Sequence, residues 1–317
     1  MLCTSPFFLQ QITTKNQQIG LPILKEKGVE LFVKREDEIH PFVSGNKFRK
    51  LKYNILEAQK QQQKTLLTFG GAFSNHILAT AVAAKLSGFT SIGIIRGEEL
   101  AKNTNKTFSQ NTTLQKAKEN GMEFHFVSRA IYRNKYETQF IDELKEKFGD
   151  FYLIPEGGTN DLAIRGCEEM LTPVDDKFDY ICSAVGTGGT IAGLINASKQ
   201  HQKVIGFPAL KGDFLNNEIQ KYTSKTNWEL HTHYHFGGYA KYTPELIRFI
   251  NNFFSETTIL LDPIYTGKLI FGILDLVKKN AFRTGTKIVA IHTGGVQGIE
   301  GFNQKLKQKN QEVIRVL

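Results

Sequence analysis

Residues 180–197 read YICSAVGTGGTIAGLINA, and this stretch decides the fold class. Its apolar run, Tyr180–Val185, predicts a buried β-strand, and residues 191–197 read as the start of a helix. The turn between them consists of Gly186, Thr187, Gly188, Gly189 and Thr190. A strand that runs through a glycine-rich turn into a helix is typical of parallel α/β proteins, whose ligands bind at the carboxyl ends of the strands.

The same alternation extends along most of the chain and predicts an α/β fold with mostly parallel sheets. Apolar, β-branched runs predict strands at 31–34, 65–69, 91–95, 123–127, 152–154, 180–185, 204–207 and 287–292. Helical patterns fall at 47–62, 75–86, 110–120, 136–148, 161–171, 190–199, 244–254 and 268–279. No linker rich in proline or serine divides the chain, so composition alone sets no domain boundary.

The glycine-rich turn predicts a phosphate site. Amide groups at a helix N-terminus point towards an anion, and the hydroxyls of Thr187 and Thr190 add donors without charge. The turn lacks the Gly-Lys-Ser/Thr ending of a nucleoside-triphosphate loop. Ile191 also stands where a dinucleotide fingerprint needs its third glycine. A monophosphate is therefore the preferred ligand, with a purely structural strand-to-helix turn as the alternative.

Two further segments carry candidate chemistry. Lys47 follows a loop glycine and opens a predicted helix, so its amine could form an imine with a carbonyl, although most loop lysines are simply solvated. Ser74 and Asn75 lie between a strand and a helix. Either could serve only as a helix N-cap, or both could line the ligand crevice. Spacing leaves these alternatives open.

Residues 228–236 read as a β-run that contains His231, His233 and His235. On a strand these three imidazoles would share one face, as metal ligands can. No cysteine or carboxylate nearby completes a tetrahedral set, so we expect no metal site and assign the imidazoles to packing or solvent.

Composition excludes several function classes. The 317 residues include 40 Lys and Arg against 31 Asp and Glu, a formal net charge of +9. These basic residues are scattered among acids rather than clustered, so we expect no nucleic-acid partner. No apolar run is long enough to span a bilayer, and the first ten residues lack the pattern of a signal peptide. Three scattered cysteines, Cys3, Cys167 and Cys182, fit a reducing cytoplasm.

Six motifs occur together in an order that resembles a known family. They are KRED at 34–37, GNKFRKL at 45–51, SNH at 74–76, GTGGT at 186–190, DPIYTGK at 262–268 and HTGG at 292–295. With this set the sequence resembles the 1-aminocyclopropane-1-carboxylate deaminase / D-cysteine desulfhydrase family. Its members are pyridoxal-phosphate enzymes of fold type II, the tryptophan-synthase-β fold. The resemblance covers nearly the whole chain.

This resemblance implies two doubly wound α/β domains, with the smaller inserted in the larger. Residues 1–49 and 158–317 would form the large, cofactor-binding domain, and residues 50–157 the small one. It also implies pyridoxal 5'-phosphate as the cofactor, a small amino acid as the substrate and a homodimer as the assembly.

The resemblance also implies roles for individual residues. Lys47 would hold the cofactor covalently, Lys50 would add charge beside its phosphate, and Asn75 would bond its 3-hydroxyl. Ser74, Tyr265 and Tyr239 would act on the substrate, and Thr293 would lie near the pyridine nitrogen. The cofactor cradle would be Gly186, Thr187, Gly188, Gly189 and Thr190, and the substrate contacts Ser74, Asn75, His76, Tyr265 and Thr266.

Two positions bear on the reaction. The deaminase branch has Glu after the active-site tyrosine and Leu after the last-strand histidine, whereas the desulfhydrase branch has small hydroxyl residues. Here they are Thr266 and Thr293. The expected enzyme is therefore a D-cysteine desulfhydrase, which forms pyruvate, sulfide and ammonia. The alternatives are an aminocyclopropane-carboxylate deaminase, which forms 2-oxobutyrate and ammonia, and a catalytically silent phosphate-ligand-binding protein.

Overall fold

The computed structural model describes residues 6–316, and the ten strands in this range alternate with helices. The strands are β1 Asn16–Ile19, β2 Glu30–Lys34, β3 Thr65–Gly71, β4 Thr90–Arg96, β5 Met122–Val127, β6 Tyr152–Ile154, β7 Tyr180–Val185, β8 Lys203–Pro208, β9 Trp228–Leu230 and β10 Lys287–Ile291. The helices are α1 Pro6–Leu9, α2 Pro22–Lys27, α3 Asn46–Lys60, α4 Asn75–Leu86, α5 Thr104–Ser109, α6 Thr112–Glu119, α7 Arg129–Arg133, α8 Thr138–Phe148, α9 Asp161–Glu168, α10 Gly189–Ala197, α11 Phe214–Gln220, α12 Pro244–Thr257, α13 Thr266–Lys278 and α14 Ile299–Gln308.

The strands form two sheets. The large sheet has the order β1-β2-β10-β7-β8-β9, in which β1 runs antiparallel to β2 and all other pairs are parallel. The small sheet has the order β5-β4-β3-β6 and is parallel throughout. This arrangement confirms the predicted α/β class with mostly parallel sheets.

The small sheet is built from one continuous segment of the chain. Its strands fall between residues 65 and 154, inside the predicted insertion of 50–157, while strands on both sides of that segment belong to the large sheet. The chain leaves the large sheet through α3 and returns through residues 155–160 to α9. The exact boundaries at 49/50 and 157/158 stay a prediction.

Apolar residues on both faces of the central strands explain why helices cover each sheet on two sides. In β3, Leu66 packs with Ile55 and Ile77, whereas Leu67 and Phe69 point to the opposite face. A parallel strand buried on both faces carries a continuous apolar run instead of an alternating one, and this explains the near-unbroken hydrophobic sequence of β3.

The predicted β-run at 228–236 is wrong beyond Leu230. The strand β9 ends there, a 3-10 turn follows at 232–234, and Phe236 has a left-handed φ of 53°. The three imidazoles therefore do not share a strand face, and His231 Nε2 instead contacts Glu229 Oε1 at 2.9 Å. Across residues 6–316 no group of three or more His, Cys, Asp or Glu side chains could hold a metal ion.

Two other sequence-based expectations concern the cysteines and membranes. Cys167 and Cys182 are buried free thiols, and Cys3 lies outside the described residues. Within the described part of the chain, no helix is long and apolar enough to cross a membrane.

A close helix contact generates the first prediction. A Cβ on Gly166 of α9 would lie 1.9 Å from the carbonyl oxygen of Arg49 in α3. Gly166→Ala should therefore force α9 and α3 apart and lower the free energy of unfolding by about 2 kcal/mol, because overpacking outweighs the gain in helix propensity.

The control for this variant is Gly301→Ala in α14, where the nearest contact of an added Cβ is an ordinary 3.4 Å. That control should gain up to about 1 kcal/mol from helix propensity. Chemical denaturation followed by circular dichroism measures both variants. Equal stability of the two alanine variants would contradict the packing argument.

Candidate active site

The site begins where α3 touches the end of β10. A Cβ on Gly45, the residue before α3, would lie 2.1 Å from the carbonyl oxygen of Thr293, and Gly45 has a left-handed φ of 56°. Only glycine meets both requirements, the close approach and the positive φ. This contact places Lys47, in the first turn of α3, beside the carboxyl ends of the large sheet.

Two polar side chains of α3 reach towards the glycine-rich turn after β7. The Asn46 side-chain amide donates to Thr190 Oγ1 at 2.9 Å. The Lys50 amine donates to Thr159 Oγ1 at 2.9 Å and to the carbonyl oxygen of Gly157 at 3.1 Å, and it lies 3.4 Å from Thr187 Oγ1. A buried amine and three hydroxyls therefore cluster beside the glycine-rich turn, with the Thr159 and Thr187 hydroxyls 2.7 Å apart.

The chemistry of this cluster and of the adjoining turn suits a phosphate group. A Cβ on Gly189, the first residue of α10, would lie 2.8 Å from the Thr159 side chain and 3.1 Å from the Lys50 amine. The absence of a side chain keeps the cradle open, and the N-terminus of α10 adds unpaired amide donors that favour an anion. Gly186, Thr187, Gly188 and Thr190 line the adjoining cavity, as the sequence pattern predicts.

Lys47 has the properties of a reactive amine. Burial, followed by the like charge of Lys50, lowers the pKa of Lys47 from 10.5 to about 7. A lysine with such a pKa is largely neutral at physiological pH, and the neutral amine is the nucleophile that attacks a carbonyl.

The structure brings most of the predicted residues together around a cavity of about 360 Å³. The cavity is lined by the side or main chains of Lys47, Lys50, Ser74, Asn75, His76, Gly186, Thr187, Gly188, Thr190, Tyr239, Tyr265 and Thr293.

The segment before α4 contributes a free hydroxyl and an amide. Ser74 occupies the N-cap position of α4, yet its side chain makes no capping hydrogen bond. Its hydroxyl therefore remains available for other hydrogen bonds, and Ser74 lines the cavity. Asn75 lies across from the turn after β10, where a Cβ on Gly295 would be 3.1 Å from its side-chain nitrogen.

His76 forms a neutral wall of the cavity. Its Nε2 hydrogen-bonds with Thr68 Oγ1 at 2.9 Å, and its side chain is buried. Burial, together with the charges of Lys47 and Lys50, lowers the pKa of His76 well below 6.5. A neutral imidazole beside these two amines adds no positive charge to the site.

Two tyrosines face each other on the large-sheet side of the cavity. The ring centroids of Tyr239 and Tyr265 are 6.3 Å apart in an edge-to-face arrangement. Burial, and then the neighbouring Tyr239 and Asp262, raise the pKa of Tyr265 well above 10. Tyr265 is therefore a neutral phenol that can donate a hydrogen bond.

Thr266 is the predicted substrate residue that the structure does not bring to the cavity. Its side chain is 1% exposed, and its hydroxyl donates to Asp262 Oδ2 at 2.7 Å while accepting from the Asp262 amide at 2.9 Å. Asp262 also accepts from the amides of Ile264 and Tyr265. Thr266 thus completes the cap of α13, the helix that presents Tyr265.

The lining residues that the sequence analysis did not select as candidates include three with polar side chains from other loops: Arg96, Glu156 and Gln297. Arg96 ends β4, and Glu156 follows β6 closely and pairs with Lys135 at 3.2 Å. Polar residues at the carboxyl ends of predicted parallel strands were the available signal for the first two. Gln297 lies in a short turn after the last strand and carries no such signal.

A reactive lysine facing an anion cradle defines a site for a cofactor that carries both an aldehyde and a phosphate. Residues 14–294 match the family model described as pyridoxal-phosphate dependent enzyme. The chain belongs to this family, and pyridoxal phosphate is its cofactor.

Individual relatives agree over nearly the full chain. A "Putative 1-aminocyclopropane-1-carboxylate deaminase" of Pyrococcus horikoshii is 31% identical, with 90% of each chain covered. A mitochondrial bifunctional D-cysteine desulfhydrase/1-aminocyclopropane-1-carboxylate deaminase of Arabidopsis thaliana is 33% identical over 92% of this chain and 79% of its own. The crystal structure of an ACC deaminase homologue superposes with a TM-score of 0.78 at 31% identity, covering 94% of both chains. The fold is therefore fold type II, as the resemblance implies.

The lowered pKa of Lys47 generates the second prediction. Incorporation of pyridoxal phosphate into the cofactor-free protein, trapped by borohydride, should label Lys47. Its initial rate should rise with pH as the amine loses its proton and level off above about pH 8, where an amine with a pKa near 7 is mostly neutral. Peptide mapping and mass spectrometry at each pH measure the label.

Lys47→Ala is the control, and it should take no specific label. A label on Lys50 or Lys52, or a rate that keeps rising towards pH 10 as for an ordinary lysine, would contradict the assignment.

The open cradle generates the third prediction. Gly189→Ala should push against Thr159 and the Lys50 amine and weaken cofactor affinity by at least about tenfold. Turnover at saturating cofactor should change less, because the phosphate lies away from the reacting carbon. Equilibrium dialysis against pyridoxal phosphate measures the affinity, with Gly301→Ala as the matched control. Unchanged affinity would identify the turn as purely structural.

Proposed function

We propose that this enzyme is a D-cysteine desulfhydrase, which converts D-cysteine and water into pyruvate, hydrogen sulfide and ammonia. The carbon–sulfur bond breaks and sulfur leaves as sulfide, while the amino group ends as ammonia with oxygen supplied by water. The names of the relatives include both this activity and aminocyclopropane-carboxylate deamination. The choice between the two therefore depends on the residues of this chain.

The observation that carries the proposal is that residue 266 is a threonine whose hydroxyl is hydrogen-bonded to Asp262. Opening a cyclopropane ring expels carbon and demands a positioned acid or nucleophile, whereas a thiolate of pKa ~8.5 leaves with little acid assistance. Thr266 carries no carboxyl group, and its hydroxyl is bonded to Asp262. Asp262 itself accepts from three backbone amides, so it is held as a cap and not as a free acid.

The other acidic group at the cavity does not fill this gap. Glu156 is the one carboxylate among the lining residues of the described chain, and it is paired with Lys135. A site without a free acid suits a substrate whose leaving group needs none.

The remaining roles follow from the positions of the side chains. Bound pyridoxal phosphate supplies an electron sink for a negative charge that develops at the α-carbon. Lys47, with its lowered pKa, can take and return the α-proton near neutral pH. Tyr265 and Ser74 offer neutral hydroxyl donors that orient the substrate. Thr293, two residues after β10, carries an uncharged hydroxyl, and the resemblance implies that it lies near the pyridine nitrogen.

Two alternatives lead to different results in one assay. An aminocyclopropane-carboxylate deaminase would form 2-oxobutyrate from that substrate and little sulfide from D-cysteine. A catalytically silent phosphate-ligand-binding protein would retain the cofactor and turn over neither substrate. The reactive state of Lys47 argues against the silent protein.

The fourth prediction is this assay. Cofactor-loaded protein is offered D-cysteine, L-cysteine, D-serine and aminocyclopropane-carboxylate, and pyruvate, oxobutyrate, ammonia and sulfide are measured. We expect equal amounts of pyruvate, sulfide and ammonia from D-cysteine, and a kcat/KM for it at least about tenfold above that for the other substrates. Lys47→Ala is the background control. Oxobutyrate from aminocyclopropane-carboxylate without sulfide from D-cysteine would reverse the assignment.

A further inference from the structure

A second buried lysine, Lys268, lies on the same helix as Tyr265 but points away from the cofactor cradle. It is one turn into α13, and its side chain is 1% exposed. Its amine donates to the carbonyl oxygens of His235 at 2.8 Å and Gly238 at 2.9 Å. Burying an ammonium group is costly, and here its hydrogen bonds go to backbone carbonyls and not to a carboxylate.

Those two carbonyls belong to the loop that carries Tyr239. Within residues 236–240 the backbone is unusual, because Phe236, Gly237, Gly238 and Ala240 all have positive φ values. For Phe236 and Ala240 the left-handed conformation is unfavourable and has to be held by surrounding contacts.

The loop's own hydrogen bonds are few and local. The Gly238 amide donates to the His235 carbonyl at 3.0 Å, and the Lys241 amide donates to the Gly238 carbonyl at 3.2 Å. The Lys268 amine donates to the same two oxygens, so each accepts a second hydrogen bond. It thereby joins both turns of the loop, three residues apart, to one rigid helix.

The helix α13 therefore fixes both active-site tyrosines. Tyr265 stands at its N-terminus, where Asp262 caps the first amides. The loop with Tyr239 is attached to it by Lys268, and the preceding turn by the hydrogen bond from the Tyr234 hydroxyl to Asp275 at 2.7 Å. The edge-to-face contact of the two tyrosine rings lies between these attachments.

We propose that Lys268 is a positioning residue, which holds the 235–240 loop on α13 and so sets Tyr239 against Tyr265 at the mouth of the cavity. Lys268 is not among the residues that line the cavity. The expected effect of Lys268 on turnover acts through Tyr239 and rests on the proposed function. Its expected effect on the order of the loop does not depend on that function.

The test uses Lys268→Met in the cofactor-loaded protein, because methionine keeps an apolar stem and removes the donors. Hydrogen–deuterium exchange of residues 236–241 should accelerate by at least about tenfold, while exchange in β10 stays within about twofold of the parent protein. Lys278→Met, on an exposed position of the same helix, should leave the loop unchanged. If Lys268→Met does not fold, Lys268→Gln, too short to reach both carbonyls, should still accelerate loop exchange by about threefold.

A double-mutant cycle connects the loop to turnover. Lys268→Met should lower kcat/KM for the best substrate by about tenfold in the parent protein and by less than about twofold in the Tyr239→Phe background. The second loss is smaller because Lys268 affects turnover through the position of the Tyr239 hydroxyl, which that background already lacks. Cofactor affinity should stay unchanged in every variant.

Two results would overturn the proposal: loop exchange unchanged in Lys268→Met, or additive losses in the cycle. Absence of turnover on every substrate would count against the proposed function alone, since the exchange measurement needs no substrate.

Discussion

The contact between the first turn of α3 and the carboxyl ends of the large sheet is the constraint on which the rest of the site depends. Gly45 approaches the backbone of Thr293 more closely than any side chain would allow. One helical turn separates Lys47 from Lys50, so a single helix carries both the amine predicted to bind the cofactor and the amine predicted to lie beside its phosphate. The buried ion pair between Arg49 and Glu36, at 2.9 Å, holds the opposite side of α3 in the large-sheet half.

Electrostatics explain why this arrangement suits an anionic cofactor. Lys47 and Lys50 both line the cavity, and after burial the charge of Lys50 is the second cause that lowers the pKa of Lys47. Burial lowers the pKa of Lys50, whose amine is bonded to a carbonyl and hydroxyls but to no carboxylate in the described chain. A phosphate in the cradle would supply the missing negative charge. His76 stays neutral beside them, so it adds no positive charge to the site.

Features that depend on local sequence, such as strands, turns and helix starts, could be predicted from the sequence. Features that depend on contacts between distant residues could not. The strand–glycine–helix pattern at 180–197 and the residues around Lys47 follow from hydrophobic periodicity and turn chemistry, and the structure has them in those forms. Residues 228–236 have the composition of a strand, yet at the edge of the sheet the bonds of Lys268 and Tyr234 to α13 override that propensity beyond Leu230. Thr266 has the right neighbours for a substrate contact, but the capping role of Asp262 turns its hydroxyl inward, and no spacing rule reveals that direction. The polar strand β1 has no apolar pattern, and pairing with β2 alone defines it.

The two places where the chain crosses between the sheets have a mechanical consequence. The outgoing crossing is α3, and the returning one is the segment 155–160, and Lys50 joins them through Gly157 and Thr159. The predicted anion cradle therefore lies where the two sheets are connected. A ligand that bonds to both crossings would restrain their relative movement, and by thermodynamic reciprocity a change that draws the crossings together would bind that ligand more tightly. Affinity for the cofactor and the spacing of the two crossings would then report on the same equilibrium.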